Sequence, residues 1–320
     1  MASTFSPDQY RALRESAAVF VRHEKGRIAV RGADRKVYLQ GLLSNDILAL
    51  EPGSSCYATL LTAQGRMISD MRVFDIGELI LLDLEAAVTP NIVDHLEKFI
   101  ITEDVVVENA SGTWGQVGVY GPQARAVVER AAATAGVATL FVLQSSDIGV
   151  DGLDVIVQAE HVDSFFTAAS DVGAVLVEPS AVETTRIEAG IPRFLVDMDT
   201  TTIPLEAGIE SSAISMSKGC YVGQEVIVRV LHRGGGRVAK RLVGLSIEGG
   251  RVNQDDRIHA GDREVGRITS VADSPRAGKQ IALGYVQRDF IEPGSEVQIR
   301  TADGEAHAVV TKLSQSTKLH

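Results

Sequence analysis

Lys218-Gly219-Cys220-Tyr221-Val222-Gly223-Gln224-Glu225 holds one of only two cysteines in the chain, next to a glycine and two positions after a lysine. A structural cysteine usually sits in an apolar run as a small hydrophobe, whereas this thiol has a cation, a permissive backbone and polar side chains around it. Lys218 can favour a thiolate by electrostatic attraction, and Gly219 allows close backbone approach. Downstream, Val222, Val226 and Val230 recur at helical spacing, although β-branched residues also suit an extended strand. The segment is expected to form a loop feeding a short helix, with Cys220 at the helix N-terminus, where the dipole favours a thiolate. The alternative is an inert, partly buried thiol.

The same segment is locally basic. Between Lys218 and Arg241 the cations are Lys218, Arg229, Arg233, Arg237, Lys240 and Arg241, opposed only by Glu225, which reads either as a solvated face or as an anion-binding rim. The whole chain carries a net charge of −11, which argues against a broad nucleic-acid surface and fits a monomer. Cys56 and Cys220 show no CxxC spacing, so neither a disulfide framework nor a cysteine metal site is expected. No apolar run is long enough to cross a bilayer, and the start of the chain lacks an export signal, which predicts a cytoplasmic protein.

Upstream, alternation over 27–32 predicts a strand, and Asp34 is placed to cap a following helix. Apolar runs at 57–61, 67–74 and 79–84, divided by turn signals, predict an antiparallel meander. Thr89-Pro90 predicts a helix start, with a buried stripe of Ile92, Leu96, Phe99 and Ile100 and a strand at 105–107 after it. A second set follows: strand 116–120, helix 122–135, strands 140–144 and 153–158, helix 162–170. The halves form a weak pseudo-repeat, and the grouping is α+β. Ser180 and Glu183 have capping-box spacing for a helix ended by Gly190 and Pro192. Glu188 then lies in the last turn, where the dipole disfavours an acid, so either a salt bridge to Arg186 or Arg193 or a ligand role accounts for it. After Gly234-Gly235-Gly236, about six short strands separated by turn residues predict an all-β barrel or jelly roll. The predicted division is 1–236 and 237–320.

The opening octapeptide resembles the K-G-C-[FY]-x-G-Q-E signature of the YgfZ-type folate-binding proteins, relatives of the glycine cleavage T-protein (aminomethyltransferase). Arg186-Ile187-Glu188-Ala189-Gly190-Ile191-Pro192, Ile203-Pro204-Leu205-Glu206 and Ala213-Ile214-Ser215 are similar to that family's order of motifs. So are Tyr38 to Asp46, Gln64-Gly65-Arg66, Lys240 to Leu245 and Ile281 to Val286, which extends the resemblance over nearly the whole chain.

The resemblance implies two α+β subdomains and a C-terminal antiparallel β-barrel arranged around a central cavity for tetrahydrofolate. It matches Glu188 to the glutamate that accepts hydrogen bonds from the pterin, a task suited to two carboxylate oxygens. Asn45, Arg66 and Asp70 are further cofactor-binding candidates, with a turn or cap as the other reading of Asn45. It also implies a factor supporting assembly or repair of iron–sulfur clusters in client enzymes, with Cys220 and Lys218 as the chemical residues and indirect effects on tRNA modification. One cysteine cannot hold a cluster alone, so any contact would be transient or shared, and no resident metal is expected.

T-proteins carry an asparagine-rich turn ending in Lys-Asp after the strand matching 79–84, and that aspartate is central to transfer. Here the stretch is Asp83-Leu84-Glu85-Ala86-Ala87-Val88-Thr89-Pro90. The alternative function, a folate-dependent one-carbon transferase (aminomethyltransferase or demethylase), therefore needs another acid or base, for which Asp83, Glu85 and Asp197 are the candidates.

Overall fold

The computed structural model describes residues 5–137, 140–232, 235–302 and 304–313. The chain runs α1 (Pro7–Glu15), β1 (Ala18–Val21), β2 (Lys25–Arg31), α2 (Arg35–Leu42), β3 (Ser55–Leu61), β4 (Met67–Asp75), β5 (Ile80–Glu85), α3 (Thr89–Glu97) and β6 (Val106–Asn109). It continues through β7 (Trp114–Tyr120), α4 (Ala124–Thr134), β8 (Leu140–Ser145), β9 (Gly152–Gln158), α5 (Val162–Asp171), β10 (Val175–Leu176) and α6 (Pro179–Ala189). Three short helices follow, α7 (Pro204–Ala207), α8 (Glu210–Ala213) and α9 (Gln224–His232). The final strands are β11 (Lys240–Glu248), β12 (Arg257–Ala260), β13 (Arg263–Ser274), β14 (Lys279–Gln287), β15 (Glu296–Thr301) and β16 (Gly304–Thr311).

Two five-stranded sheets, ordered β3-β4-β5-β2-β6 and β10-β1-β7-β9-β8, precede a closed six-stranded barrel ordered β11-β14-β13-β12-β15-β16. Alternation decides which side chains meet. Ile28, Val30, Val73, Ile80, Leu82 and Leu84 pack under α2 and α3, against Leu39, Ile92 and Leu96. The second sheet buries Val117, Val119, Val155 and Val157 under α4 and α5. The opposite faces meet each other through Ala29, Phe74, Leu81, Leu143 and Ile156. The result is a helix–sheet–sheet–helix sandwich, and the barrel closes on its own interior of Leu245, Ile258, Ile268, Val286 and Ile299.

The α+β class, the meander and the barrel agree with the sequence reading; several caps do not. Asp34 precedes α2 but makes no side-chain cap, because its carboxylate accepts from the Asp104 amide instead. Thr89 lies inside α3, preceded by a 3₁₀ turn, and its hydroxyl donates to the Glu85 carbonyl. That helix stops at Glu97, so Phe99 falls outside the stripe and is 40 % exposed. No capping box forms at Ser180: Pro179 opens α6, which moves the N-cap to Glu178, and Glu183 pairs with Arg186. Gly190 does end α6 in the left-handed conformation, with φ 72°.

Candidate active site

Register sets out the floor of the main cavity. Tyr57, Arg72, Asp83 and Arg27 are cross-strand neighbours along β3, β4, β5 and β2, so their side chains leave the same face of the sheet. This face looks towards the second sheet. Two residues further along, Glu85 stands opposite Lys25 on the same face. These polar rows begin where the apolar contact between the sheets ends, and Ile191, Pro192, Arg193 and Phe194 of the loop after α6 line the same space.

Between the sheets and α6 lies a cavity of about 650 Å³. Phe20, Met71, Ile148, Phe166, Val177 and Phe194 supply apolar wall, and Asp70, Asp83, Glu85, Lys25, Glu183 and Arg193 supply charge. A volume in the range of small-molecule sites, with mixed apolar and convergent polar lining, marks it as the ligand-binding candidate.

Most of the charges are paired. Arg193 bonds Glu85 at 3.1 Å and approaches Glu183 at 3.5 Å, while Lys25 reaches Glu85 at 3.2 Å. Burial works against the Lys25 charge, but Glu85 and Asp83 outweigh it and hold its pKa above the ordinary lysine value. Arg72 crosses to the second sheet and donates to Asp154 at 2.6 Å, to Ser145 and to the Gln144 carbonyl. Arg22 donates to Asp154 and to Asp147.

Two carboxylates remain. Asp70 accepts the Tyr57 hydroxyl at 2.6 Å, and its burial raises its pKa despite that bond and the nearby Lys25. Asp83 is 2 % exposed, and among the described residues neither of its oxygens has a hydrogen-bond partner. Burial pushes it up to about 6, against the pull of Lys25 and Arg22.

The other residues singled out in the sequence lie elsewhere. Glu188 accepts from Tyr10 and Arg14, each at 2.7 Å, and from Ser274 of the barrel. It faces a separate cleft of about 330 Å³ between α6 and the barrel. Neither Arg186 nor Arg193 is its partner; Arg14 is. The α6 carboxylate on the main cavity is Glu183, five positions earlier and so about 140° away around the helix.

Asn45 is a latch. It donates to the carbonyls of Tyr57 and Ser212 and its own oxygen accepts the Asp46 amide, so it supports the strand that carries Tyr57. Arg66 donates to the Thr201 carbonyl. Asp197 is buried between α6 and the barrel, bound by Arg186 at 2.7 Å and by the hydroxyls of Thr269 and Ser270.

Lys218 turns inward. Its ammonium donates to the carbonyls of Gln40, Leu43 and Asn45 at 2.6, 2.6 and 3.0 Å, with the Tyr221 ring 5.0 Å away. Burial lowers its pKa to about 8. Cys220 is exposed and has no bonding partner among the described residues. The expected helix does form, but α9 begins four residues after Cys220, so the thiol is not in its first turn. The basic stretch is also largely engaged: Arg229 pairs with Glu225, Arg241 with Glu210, and Lys240 lies over Tyr285. Arg233 and Gly234 lie outside the described residues.

Asp83, Glu183, Lys25, Tyr57 and Arg193 are the site residues that motif reading underweighted. Their signal is local: a charge in the middle of an apolar strand, as in Leu81-Leu82-Asp83-Leu84, has to face a buried partner or a site.

Two sheets with a cavity between them and a closed C-terminal barrel define the class. Residues 2–160 match the GCVT N-terminal domain, and residues 240–314 match the glycine cleavage T-protein C-terminal barrel domain. The chain belongs to the GcvT-like superfamily. It is 27 % identical over 322 residues to an aminomethyltransferase of Listeria innocua, covering 95 % of this chain and 88 % of that protein. It is 26 % identical to one of Prochlorococcus marinus, with the same coverage. The crystal structure of glycine cleavage system aminomethyltransferase T from Bartonella henselae superposes with a TM-score of 0.86 over 98 % of this chain and 90 % of that one, at 20 % identity, a likeness of fold. Among the described residues no helix is long and apolar enough to cross a membrane, and no group of three or more His, Cys, Asp or Glu is placed to hold a metal ion.

Proposed function

We propose that this protein binds a reduced folate in the central cavity and acts in folate-dependent one-carbon transfer. The observation that carries the reading is the lining of that cavity in a chain of this superfamily. Apolar and aromatic walls suit a flat ring, and Asp70 offers acceptor oxygens for the adjacent N–H donors of a pterin. Arg193, 30 % exposed, is the cation best placed for a carboxylate tail. Tetrahydrofolate, when bound, would supply the nitrogens that take up a one-carbon unit. The protein's residues orient it: Tyr57 holds Asp70, Glu85 and Glu183 hold Arg193, and Pro192 and Phe194 of the loop after α6 add apolar wall.

The test is calorimetric titration with tetrahydrofolate, followed by turnover assays with aminomethyl and N-methyl donors. Saturable binding that weakens at least about tenfold in Asp70→Asn and Arg193→Ala supports the reading. Absence of binding, or binding indifferent to both changes, overturns it.

A second reading, the accessory factor for iron–sulfur clusters, is favoured by the exposed, unpartnered thiol of Cys220 on a loop anchored by Lys218. Its clients would be iron–sulfur enzymes. Folate binding without turnover of any donor, with client activity lost on gene deletion and not restored by Cys220→Ala, would support it. Full restoration by Cys220→Ala would remove the sulfur role.

A further inference from the structure

We propose that Asp83 is the acid–base residue of the central cavity, taking the proton from the folate nitrogen that accepts the one-carbon unit. This rests on the transfer reading above and adds a residue to it. Asp83 sits mid-strand in β5 between two guanidiniums in register, Arg72 on β4 and Arg27 on β2, yet it bonds neither. Arg72 is turned to Asp154, and Arg27 leaves its own Nε and Nη1 without a partner among the described residues. A buried carboxylate with both oxygens free is costly to keep, because buried polar groups in native proteins are nearly always satisfied. Here it lines the cavity, where a ligand N–H can satisfy it.

Every element around it contributes charge. Lys25 and Arg27 come from β2, Arg72 and Asp70 from β4, Glu85 from β5 itself, Asp154 from β9, and Arg22 and Asp147 from the turns beside the second sheet. The cations keep Asp83 from becoming a permanently neutral acid, and burial keeps it from being a permanently weak base. A carboxyl near 6 is mostly ionised at neutral pH, ready to accept a proton, and acidic enough to return it.

The step balances without an oxidant. The bond between the one-carbon unit and the donor heteroatom breaks, and a bond from that carbon to the folate nitrogen forms. The proton lost by the nitrogen passes to an Asp83 oxygen and then to the donor heteroatom as it leaves.

The experiment compares wild type, Asp83→Asn and Asp83→Glu in tetrahydrofolate affinity, turnover and its pH profile. Asp83→Asn is expected to keep folate affinity within about threefold, to lower turnover at least about 100-fold, and to lose the limb near pH 6, with partial recovery in Asp83→Glu. In parallel, the carboxyl of labelled wild-type Asp83 is titrated by NMR with and without tetrahydrofolate, and its midpoint is expected to move on binding. Turnover by Asp83→Asn within about twofold of wild type, or with the pH limb intact, overturns the proposal while leaving the transfer reading standing. A midpoint unmoved by bound folate also overturns it, and decides the matter if the variants do not fold. Wild type that binds folate but turns over no donor overturns the transfer reading and this proposal together.

Discussion

Arg72 and Asp83 face each other across β4 and β5, yet the guanidinium of Arg72 reaches over to Asp154 in the other sheet and leaves Asp83 alone. The same arginine that ties the two sheets together thereby keeps a carboxylate free at the cavity wall. Stability and availability for a ligand are set against each other at one position.

Asp83 titrates near 6 in the folded protein and near the ordinary value of about 4 when unfolded, so the folded state binds the extra proton between those values. Stability associated with this group is therefore present below about pH 4 and lost as pH rises through 6. Asp83→Asn should raise the midpoint of chemical denaturation at about pH 7.5 by the equivalent of about 1–3 kcal/mol, and leave it nearly unchanged at about pH 4. Urea titrations at the two pH values check this; equal shifts at both would show that the carboxylate is not strained.

Glu188 lines the cleft beside the barrel and not the cavity between the sheets. Bound to Tyr10, Arg14 and Ser274, it is a structural tie in this arrangement. Glu188→Gln should weaken the fold by about 1–3 kcal/mol and leave tetrahydrofolate affinity within a few-fold of wild type. A tenfold loss of folate affinity at unchanged stability would instead move the pterin to the cleft beside the barrel.

The loop around Cys220 should show a sharp contrast between neighbours. Lys218→Met removes three hydrogen bonds to main-chain carbonyls and should lower stability by about 1–3 kcal/mol. Cys220→Ala removes an exposed, unpartnered group and should stay within about 0.5 kcal/mol of wild type. Thermal denaturation of the two variants side by side tests the pair.

Gly223 is held at φ 84°, and a Cβ there would lie 2.5 Å from the Thr62 carbonyl oxygen. Gly223→Ala should destabilise by more than about 1 kcal/mol, as measured by denaturant unfolding, since both the backbone conformation and the contact oppose it.

Much of this was legible in the sequence because it depends on local pattern. The turns at Ala63-Gln64-Gly65 and Ile76-Gly77 divide β3, β4 and β5, and the closely spaced turn residues after Gly236 outline the barrel. The site was less legible because it depends on facing. Glu183 and Glu188 stand in one helix, and only packing reveals that the first looks into the cavity and the second towards the barrel. Lys218 shows the same limit: its place beside Cys220 in sequence suggested an activating charge, while the fold gives its ammonium to carbonyls at the end of α2. Asp83 was detectable as a charge within an apolar strand, but its missing partners follow from the long-range choice made by Arg72.

Arg186 joins parts that the glycine-rich junction separates in sequence, and this bears on how the chain can be cut. Its guanidinium binds Glu183 on the cavity wall, Asp197 in the covering loop and Ser270 in the barrel, while Ile187 beside it packs on Leu242, Leu283 and Tyr285. A fragment ending before β11 would strip Asp197 of two hydroxyl donors and bare the apolar side of α6. The barrel thus braces the helix and loop that line the cavity without lining it itself, and the smallest unit expected to keep that wall in place is the two sheets with the barrel attached.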